Sequence, residues 1–338
     1  MSDNTLVRQP ARELARLIRN RAVSPIEVLD AHLAAIAALN PKLNAVVTLA
    51  EESARENARR AEQAVMKGEP LGALHGLPVG IKDITQTAGI RTTFASPLLK
   101  DNVPSGDEEV VRRLKAAGAI VLAKTNTPEF ACGANTNNAL FGPTRNPWNP
   151  ALSPAGSSGG SAVAVSSGMT PLAQGTDYGC SIRIPAAFCG IVGIRPTPGL
   201  IPSYPKPLAW DPGEVHGPLA RDAEDAALML DAMIGFSRVS PISVAPPWQS
   251  ALAELERRED IKGLRIAYVS DIAGIGVEAE IDETSARPRQ FLANSARMSS
   301  TSNSTPAPAA RPIRPGAASG WSDGNTSGSR TSTLSAPI

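Results

Sequence analysis

Two serines in glycine-rich turns are the residues of this sequence best placed to attack a carbonyl group. Ser157 belongs to the run 156–161, which leads into a helix of small residues, and Ser181 follows a strand and a tight turn at residues 175–180. A serine between a strand and a helix lies beside main-chain N–H groups and the positive end of the helix dipole, which stabilise an oxyanion. The same turns also suit helix N-caps or anion-binding loops, so each serine alone leaves both functions open.

A serine nucleophile needs a base, and the residue types favour lysine over histidine. The chain has three histidines, at the isolated positions His32, His75 and His216. Of the eight lysines, Lys82 follows the apolar run 77–81, whereas the others lie among charged or turn residues or, like Lys124, beside Ala and Thr. Full burial lowers a lysine pKa by about 3–5 units from roughly 10.4, which makes a neutral amine available. The alternative is a structural lysine paired with an acid such as Asp83.

Other chemistries have little support in the composition. HExxH, paired Cys/His and GxxxxGK[ST] motifs are absent, so metal and nucleotide sites have no anchor. The 33 basic and 32 acidic residues leave a net charge of +1, which does not indicate nucleic acid or an anionic membrane as a partner. The cysteines match neither a metal site nor a disulfide framework and predict a reduced, cytoplasmic protein; they are Cys132, Cys180 and Cys189. The N-terminus lacks an apolar signal region, and the apolar run 184–194 is too short to span a bilayer.

The elements that must position these residues alternate between helix and strand. Apolar periodicity and turn residues predict helices at 11–20, 25–40, 51–67, 107–117, 162–167 and 220–235, and strands at 44–50, 76–83, 119–123, 171–174, 190–194 and 264–269. This alternation predicts an α/β sheet covered by helices on both faces, with Lys82 at the end of a buried strand. The long stretch 135–160, rich in Asn, Pro, Gly and Ser, is typical of a functional loop.

Three motifs occur together in one order. They read GIKD at residues 80–83, GSSGGSA at 156–162, and DYGCSIRIPA at 177–186 followed by FCG at 188–190. The neighbouring segments are LAKTN at 122–126, NPW at 146–148, GIRPT at 193–197 and GPL at 217–219. Over about residues 14–283 this set resembles the amidase signature family, and the spacing of 24 residues between Ser157 and Ser181 fits the family pattern.

The resemblance implies a Ser-cisSer-Lys triad. Ser181 would be the nucleophile, Ser157 the bridging serine held by a cis peptide, and Lys82 the base. Main-chain N–H groups would form the oxyanion hole; these are the groups of Tyr178, Gly179, Cys180 and Ser181. The implied protein is a mixed-sheet α/β amidase that converts a small-molecule amide into an acid and ammonia or an amine through an acyl-enzyme. It needs no metal or organic cofactor.

Alternatives remain within the same family. The amidase subunit of a tRNA-dependent amidotransferase is one, although that subunit typically has Gln where this chain has Ile184. A truncated, inactive amidase is another. Two residues depart from the family pattern, since Ala155 and Cys180 stand where many members have glycine. The sequence leaves the substrate and the assembly state, including a homodimer, open.

The composition changes after about Thr284. Residues 285–338 are rich in Ser, Ala and Pro and contain six Arg without any Lys, and no periodicity follows. We therefore divide the chain into an N-terminal helical region (1–68) packing on the core, an α/β core (69–284) and a low-complexity tail (285–338). The tail is expected to be disordered or read out of frame, which would leave the core without the C-terminal part of the fold.

Overall fold

A computed structural model describes residues 3–257, 260–269, 271, 274–295 and 297–300 of the chain. The chain divides into two units, residues 1–258 and 259–338. Residues 301–338, most of the tail for which disorder or a shifted frame is predicted, lie outside the described residues.

The first unit alternates helices and strands much as the sequence predicts. Its helices are α1 (Asp3–Leu6), α2 (Ala11–Arg19), α3 (Pro25–Leu43), α4 (Glu51–Lys67), α5 (Glu109–Ala116), α6 (Gly159–Ser166), α7 (Arg183–Cys189), α8 (Ala223–Met233) and α9 (Ala251–Glu256). Its strands are β1 (Val46–Leu49), β2 (Pro78–Lys82), β3 (Ile120–Thr125), β4 (Leu172–Asp177), β5 (Val192–Gly193) and β6 (Val215–Ala220). Helix α3 begins at Pro25 because Ser24 and Glu27 form a capping box. The Ser24 hydroxyl accepts the Glu27 N–H, and the Glu27 carboxylate accepts the Ser24 N–H.

These strands form one mixed sheet in the order β1-β3-β2-β4-β6-β5. The central strand β2 is parallel to both β3 and β4, whereas β1, β6 and β5 pair antiparallel with their neighbours. The mixed sheet expected from the family resemblance is therefore confirmed.

Helices cover both faces of the sheet, as predicted. Alternate residues of one strand point to opposite faces, so Val121 of β3 packs in one apolar cluster and Leu122 in another. The first cluster contains residues of α2, α5 and α8, and the second contains residues of α6 and α7. The sheet is consequently buried between two layers, and the short strands β2, β3 and β4 are buried along their whole length.

The sequence analysis missed strand β6. It contains Gly217-Pro218, a pair usually found in turns, and the predicted helix 220–235 in fact begins at Ala223, after the N-cap Asp222. The strand forms through long-range pairing, from Leu172 opposite Ala220 to Asp177 opposite Val215. Glycine is required at position 217 because a Cβ there would lie 2.0 Å from the Ile194 carbonyl oxygen.

The topology places the motif residues at one edge of the sheet. Since β2 and β4 are parallel, their carboxyl ends, at Lys82 and Asp177, point toward the same edge. Helices α6 and α7 begin shortly after the two serine turns. In open α/β sheets, crevices outside the carboxyl ends of strands commonly bind ligands.

The second unit contains β7 (Arg265–Tyr268), α10 (Ala279–Ser295) and β8 (Arg297–Ser300), with β7 and β8 parallel. Helix α10 runs across residue 284, where the sequence analysis placed the start of the tail. The reason is that this helix continues through residues without a clear apolar period, including Pro288. The division at residues 68 and 284 stays a prediction. Across the described part of both units, we find no helix long and apolar enough to cross a membrane.

Candidate active site

Lys82 occupies the end of β2 and is completely buried. Its Nζ donates hydrogen bonds to Ser157 Oγ at 2.7 Å and to Thr176 Oγ1 at 2.9 Å. Burial lowers the pKa of the Lys82 amine to about 7, against the opposing influence of the Glu214 and Asp177 carboxylates. A substantial fraction of this amine is therefore neutral near neutral pH.

The alternative role of Lys82, a structural pairing with Asp83, is not formed. The Asp83 carboxylate instead accepts hydrogen bonds from the N–H of Thr93, at 3.2 Å, and from its hydroxyl. Within the described residues no ion pair joins Lys82 to Asp83: the Lys82 amine bonds Ser157 and Thr176, whereas Asp83, in the turn that follows β2, bonds Thr93.

Ser157 lies in a buried turn with a cis peptide bond between Gly156 and Ser157. The Thr136 hydroxyl stabilises this turn, because it donates to the Ala155 carbonyl at 2.9 Å and accepts the Gly159 N–H at 3.1 Å. A Cβ at position 159 would lie 2.2 Å from that hydroxyl oxygen, so only glycine allows the approach. The hydroxyl of the following residue, Ser158, donates to the Thr176 carbonyl and accepts the Thr176 N–H, and it forms no capping hydrogen bond with α6. Ser158 holds the N-cap position of α6 without a side-chain capping bond, so the capping role considered for this turn is not formed.

The turn that carries Ser181 folds around the buried carboxylate of Asp177. This carboxylate accepts the N–H groups of Cys180, at 2.9 Å, and Ile182, at 3.1 Å. Arg183 and Arg195 also donate to it, at 3.0 Å and 3.2 Å. Burial alone would raise the pKa of Asp177, but the hydrogen bonds from Arg183 and the turn outweigh it and lower the pKa. The carboxylate is therefore charged and organises the turn.

The two serine turns contact each other through the main chain. The N–H of Ser158 donates to the carbonyl of Ser181 at 3.1 Å. Ser181 is half-buried, and its hydroxyl forms no hydrogen bond with any described residue. Helix α7 begins two residues later, at Arg183, with Ile182 as its N-cap, so Ser181 does not cap the helix either.

One of the four main-chain N–H groups expected to form the oxyanion hole already has an acceptor within the turn. The N–H of Cys180 is already occupied by Asp177, which removes it from the set assigned to an oxyanion hole. The N–H groups of Tyr178, Gly179 and Ser181 have no acceptor among the residues that the structure describes. These three donors are available to a ligand beside the Ser181 side chain.

The comparison with known proteins agrees with the motifs. A family model described as Amidase matches residues 27–310. The chain belongs to the amidase signature family. The acylamidase of Rhodococcus erythropolis is 39% identical over 282 residues, which cover 83% of this chain and 58% of that protein. A glutamyl-tRNA(Gln) amidotransferase subunit of Carboxydothermus hydrogenoformans is 42% identical over 277 residues, which cover 81% of this chain and 57% of that protein.

A solved structure shows the same fold. A bacterial aryl acylamidase of the amidase signature family superposes with a TM-score of 0.81 at 33% identity, covering 87% of this chain and 61% of that one. The chain thus spans less than two thirds of the length of these amidase signature relatives. The match of the family model extends to residue 310, past the boundary at 284.

The two departures from the amidase signature pattern share one backbone property. Ala155 has φ = 61° and Cys180 has φ = 74°, so both lie in the left-handed region. A side chain in this region costs roughly 1–2 kcal/mol, whereas glycine adopts it freely. This chain therefore carries two strained residues next to its serine turns, where many amidase signature members have glycine.

The sequence analysis missed three residues near the amidase motifs. Thr176 and Asp177 lie in or just before the quoted DYGCSIRIPA motif, but only the fold reveals their contacts. Lys124 was set apart from Lys82 because it lies beside Ala and Thr, yet it is fully buried as well. Its amine donates to the Thr85 carbonyl and to Thr87 Oγ1, and burial lowers its pKa to about 8. Lys124 follows the apolar run 119–123, just as Lys82 follows the apolar run 77–81, so the same pattern could have predicted its burial.

The described residues contain no cluster of three or more His, Cys, Asp or Glu side chains arranged to hold a metal ion. The cysteines are free thiols, with Cys132 exposed, Cys180 half-buried and Cys189 buried.

Proposed function

We propose that the chain is an amidase that hydrolyses a carboxylic acid amide through an acyl-enzyme on Ser181, with Ser157 and Lys82 as the proton-transfer pair. The observation that carries this proposal is the 2.7 Å contact between Lys82 Nζ and Ser157 Oγ at a fully buried site. The lowered pKa of this amine supports its role as a base near neutral pH. Membership of the amidase signature family supports the assignment of Ser181 as the nucleophile.

In the first half of the reaction, the neutral amine of Lys82 accepts the hydroxyl proton of Ser157. Ser157 in turn accepts the proton of Ser181 as the Ser181 oxygen attacks the amide carbonyl carbon. The negative charge that develops on the carbonyl oxygen is stabilised by the N–H groups of Tyr178, Gly179 and Ser181. The turn around Asp177 holds these donors in place before the substrate arrives.

In the second half, the C–N bond breaks and the leaving nitrogen receives a proton from Ser157, which is replenished from the Lys82 ammonium. The acyl group is then bound to Ser181 as an ester. A water molecule attacks this ester and gives its proton through Ser157 to Lys82, and Ser181 leaves with a proton. The products are the carboxylic acid and ammonia or an amine.

A second candidate is the amidase subunit of a tRNA-dependent amidotransferase. The 42% identity with the glutamyl-tRNA(Gln) amidotransferase subunit of Carboxydothermus hydrogenoformans favours it, whereas Ile184, at a position typically occupied by Gln in that subunit, favours a free amidase. Glutaminase activity that depends on partner subunits and tRNA would support the amidotransferase role over the free enzyme. The hypothesis of an inactive amidase is tested by the labelling of Ser181. The cytoplasmic location stays a prediction from cysteine usage.

The proposal is tested by labelling the purified protein with a fluorophosphonate probe and mapping the modified peptide. We expect an adduct on Ser181 that disappears in Ser181→Ala and that forms much more slowly in Ser157→Ala. Ser53→Ala, at an exposed position of α4, is the matched control and should label like the wild type. A protein that melts cooperatively but forms no adduct on Ser181 would contradict the proposal. Ammonia release from a panel of carboxamides then identifies the substrate class.

A further inference from the structure

We propose that Gln174 is a positioning residue for the base: it holds the main chain of Lys82 in place and is itself oriented by His216. This inference rests on the proposed function insofar as Lys82 is taken to be the base. Gln174 lies on β4 and is completely buried, and among the described residues its side chain hydrogen-bonds Lys82, Thr85, Gly175 and His216 rather than Ser157 or Ser181.

The parallel ladder between β2 and β4 ends just before Lys82. Its last pair is Ile81 opposite Gln174. Beyond this pair, the Lys82 N–H donates to the side-chain oxygen Oε1 of Gln174, at 3.2 Å. The Thr85 hydroxyl donates to the same oxygen at 3.1 Å. One side-chain oxygen therefore fixes both the residue that carries the amine and the turn that follows it.

Two contacts of Nε2 set the orientation of the Gln174 amide. Its Nε2 donates to the Gly175 carbonyl at 2.9 Å and lies 2.9 Å from Nδ1 of His216. Burial lowers the pKa of His216 to about 3, so the ring is neutral and Nδ1 can accept this hydrogen bond. The proton on Nε2 of the ring then faces the Glu108 carboxyl at 3.4 Å. A flipped amide would bring two oxygens together at Gly175 and two N–H groups together at Lys82.

Lys82 is held at its main chain by Gln174 and at its amine by Ser157 and Thr176. Without the Gln174 oxygen, the buried N–H of Lys82 loses its acceptor, and the strand end can shift to find another. Displacing a proton-transfer group by a fraction of an ångström reduces the rate of the chemical step more than it weakens substrate binding.

The experiment compares Gln174→Leu with Gln174→Glu. In Gln174→Leu we expect kcat to fall by about 10–100-fold with KM changed less than about threefold. Gln174→Glu keeps the acceptor but places a carboxylate near Lys82, beside the existing Glu214 and Asp177 charges. It should move the acid limb of the pH profile of kcat/KM upward by about 0.5–1 pH unit. Gln63→Leu, at an exposed position of α4, is the matched control.

Hydrogen exchange of the Lys82 amide gives a readout that is independent of catalysis. It should become at least about tenfold faster in Gln174→Leu and stay slow in Gln63→Leu. Unchanged exchange and unchanged kcat in Gln174→Leu would overturn the inference. If Gln174→Leu does not fold, an unaltered pH profile in Gln174→Glu overturns it instead. A wild-type protein without amidase activity would refute the proposed function, while the exchange rates would still decide whether Gln174 holds Lys82.

Discussion

Lys82 Nζ and Ser157 Oγ lie 2.7 Å apart although 75 residues separate them in the chain. The contact forms because β2 ends beside β4 at the edge of the sheet where the cis turn of Ser157 enters α6. In the proposed function this amine and this hydroxyl form the proton-transfer pair, and no histidine takes part. His216 lies nearby but contacts Gln174 and Glu108, away from the serines.

Activity is expected to increase with pH through about 7. Burial lowers the pKa of Lys82 to about 7, and only the neutral amine can accept a proton. Below that pH, kcat/KM should fall by about tenfold per pH unit, which a pH profile of kcat/KM measures. Lys82→Met should abolish the activity, whereas Lys100→Met, at an exposed position, should leave it intact. An acid limb that persists in a fully active Lys82→Met would contradict the role of Lys82.

The same buried amine should reduce stability. An unfolded lysine keeps its proton up to about pH 10.4, whereas folded Lys82 loses it near 7, so the unfolded state binds more protons between these values and stability rises with pH there. Lys82→Met removes this penalty and should raise the free energy of unfolding at neutral pH by about 1–2 kcal/mol. Urea unfolding at several pH values checks this. A less stable Lys82→Met would show that the amine contributes more through its hydrogen bonds than it costs by burial.

Thr176 should matter for the rate because its hydroxyl accepts a hydrogen bond from Lys82 Nζ at 2.9 Å. Thr176→Val keeps the shape but removes the acceptor, and we expect kcat to fall by about tenfold, the equivalent of one hydrogen bond. Steady-state kinetics measure this. The matched control is Thr48→Val on β1, whose hydroxyl is buried without a hydrogen-bond partner among the described residues. Equal rates for both variants would rule out a role for Thr176 in holding the amine.

Cys180→Gly is expected to stabilise the protein. Cys180 has φ = 74°, so glycine should raise the free energy of unfolding by roughly 0.5–1 kcal/mol, as measured by thermal or urea unfolding. Cys132→Gly is the control, because Cys132 has φ = −85° and gains no such relief. The activity of Cys180→Gly should stay within about tenfold of the wild type, since the turn supplies main-chain groups. Near-abolition of activity would instead reveal a role for the Cys180 side chain.

Asp177→Asn should both destabilise the protein and prevent labelling of Ser181. The neutral amide cannot accept all the donors that surround the carboxylate and leaves Arg183 and Arg195 without their charged partner. We expect a loss of about 2–4 kcal/mol in the free energy of unfolding, with Asp101→Asn, an exposed carboxylate, as the control. The pKa of Asp177 is lowered on folding, so its contribution is present above about pH 4 and is lost as the pH falls further. Stability equal to that of the control would contradict this role.

Local signals in the sequence determined most of the elements. The capping box predicted the start of α3, apolar periodicity predicted the bounds of α4, and the apolar run before Lys82 predicted a buried strand with lysine at its end. The motifs around the serines identified the family. These features depend on neighbours within a few residues, which is why one sequence is sufficient to recognise them.

The tertiary structure decided which side chains meet. Strand β6, the burial of Lys124 and the support of Lys82 by Gln174 all depend on strand pairing between distant segments. No local pattern specifies the register of such pairs, because it is set by packing of the two sheet faces against their helices. The sequence therefore determined the candidate chemistry of this protein, and the long-range register of its sheet determined the geometry in which that chemistry can operate.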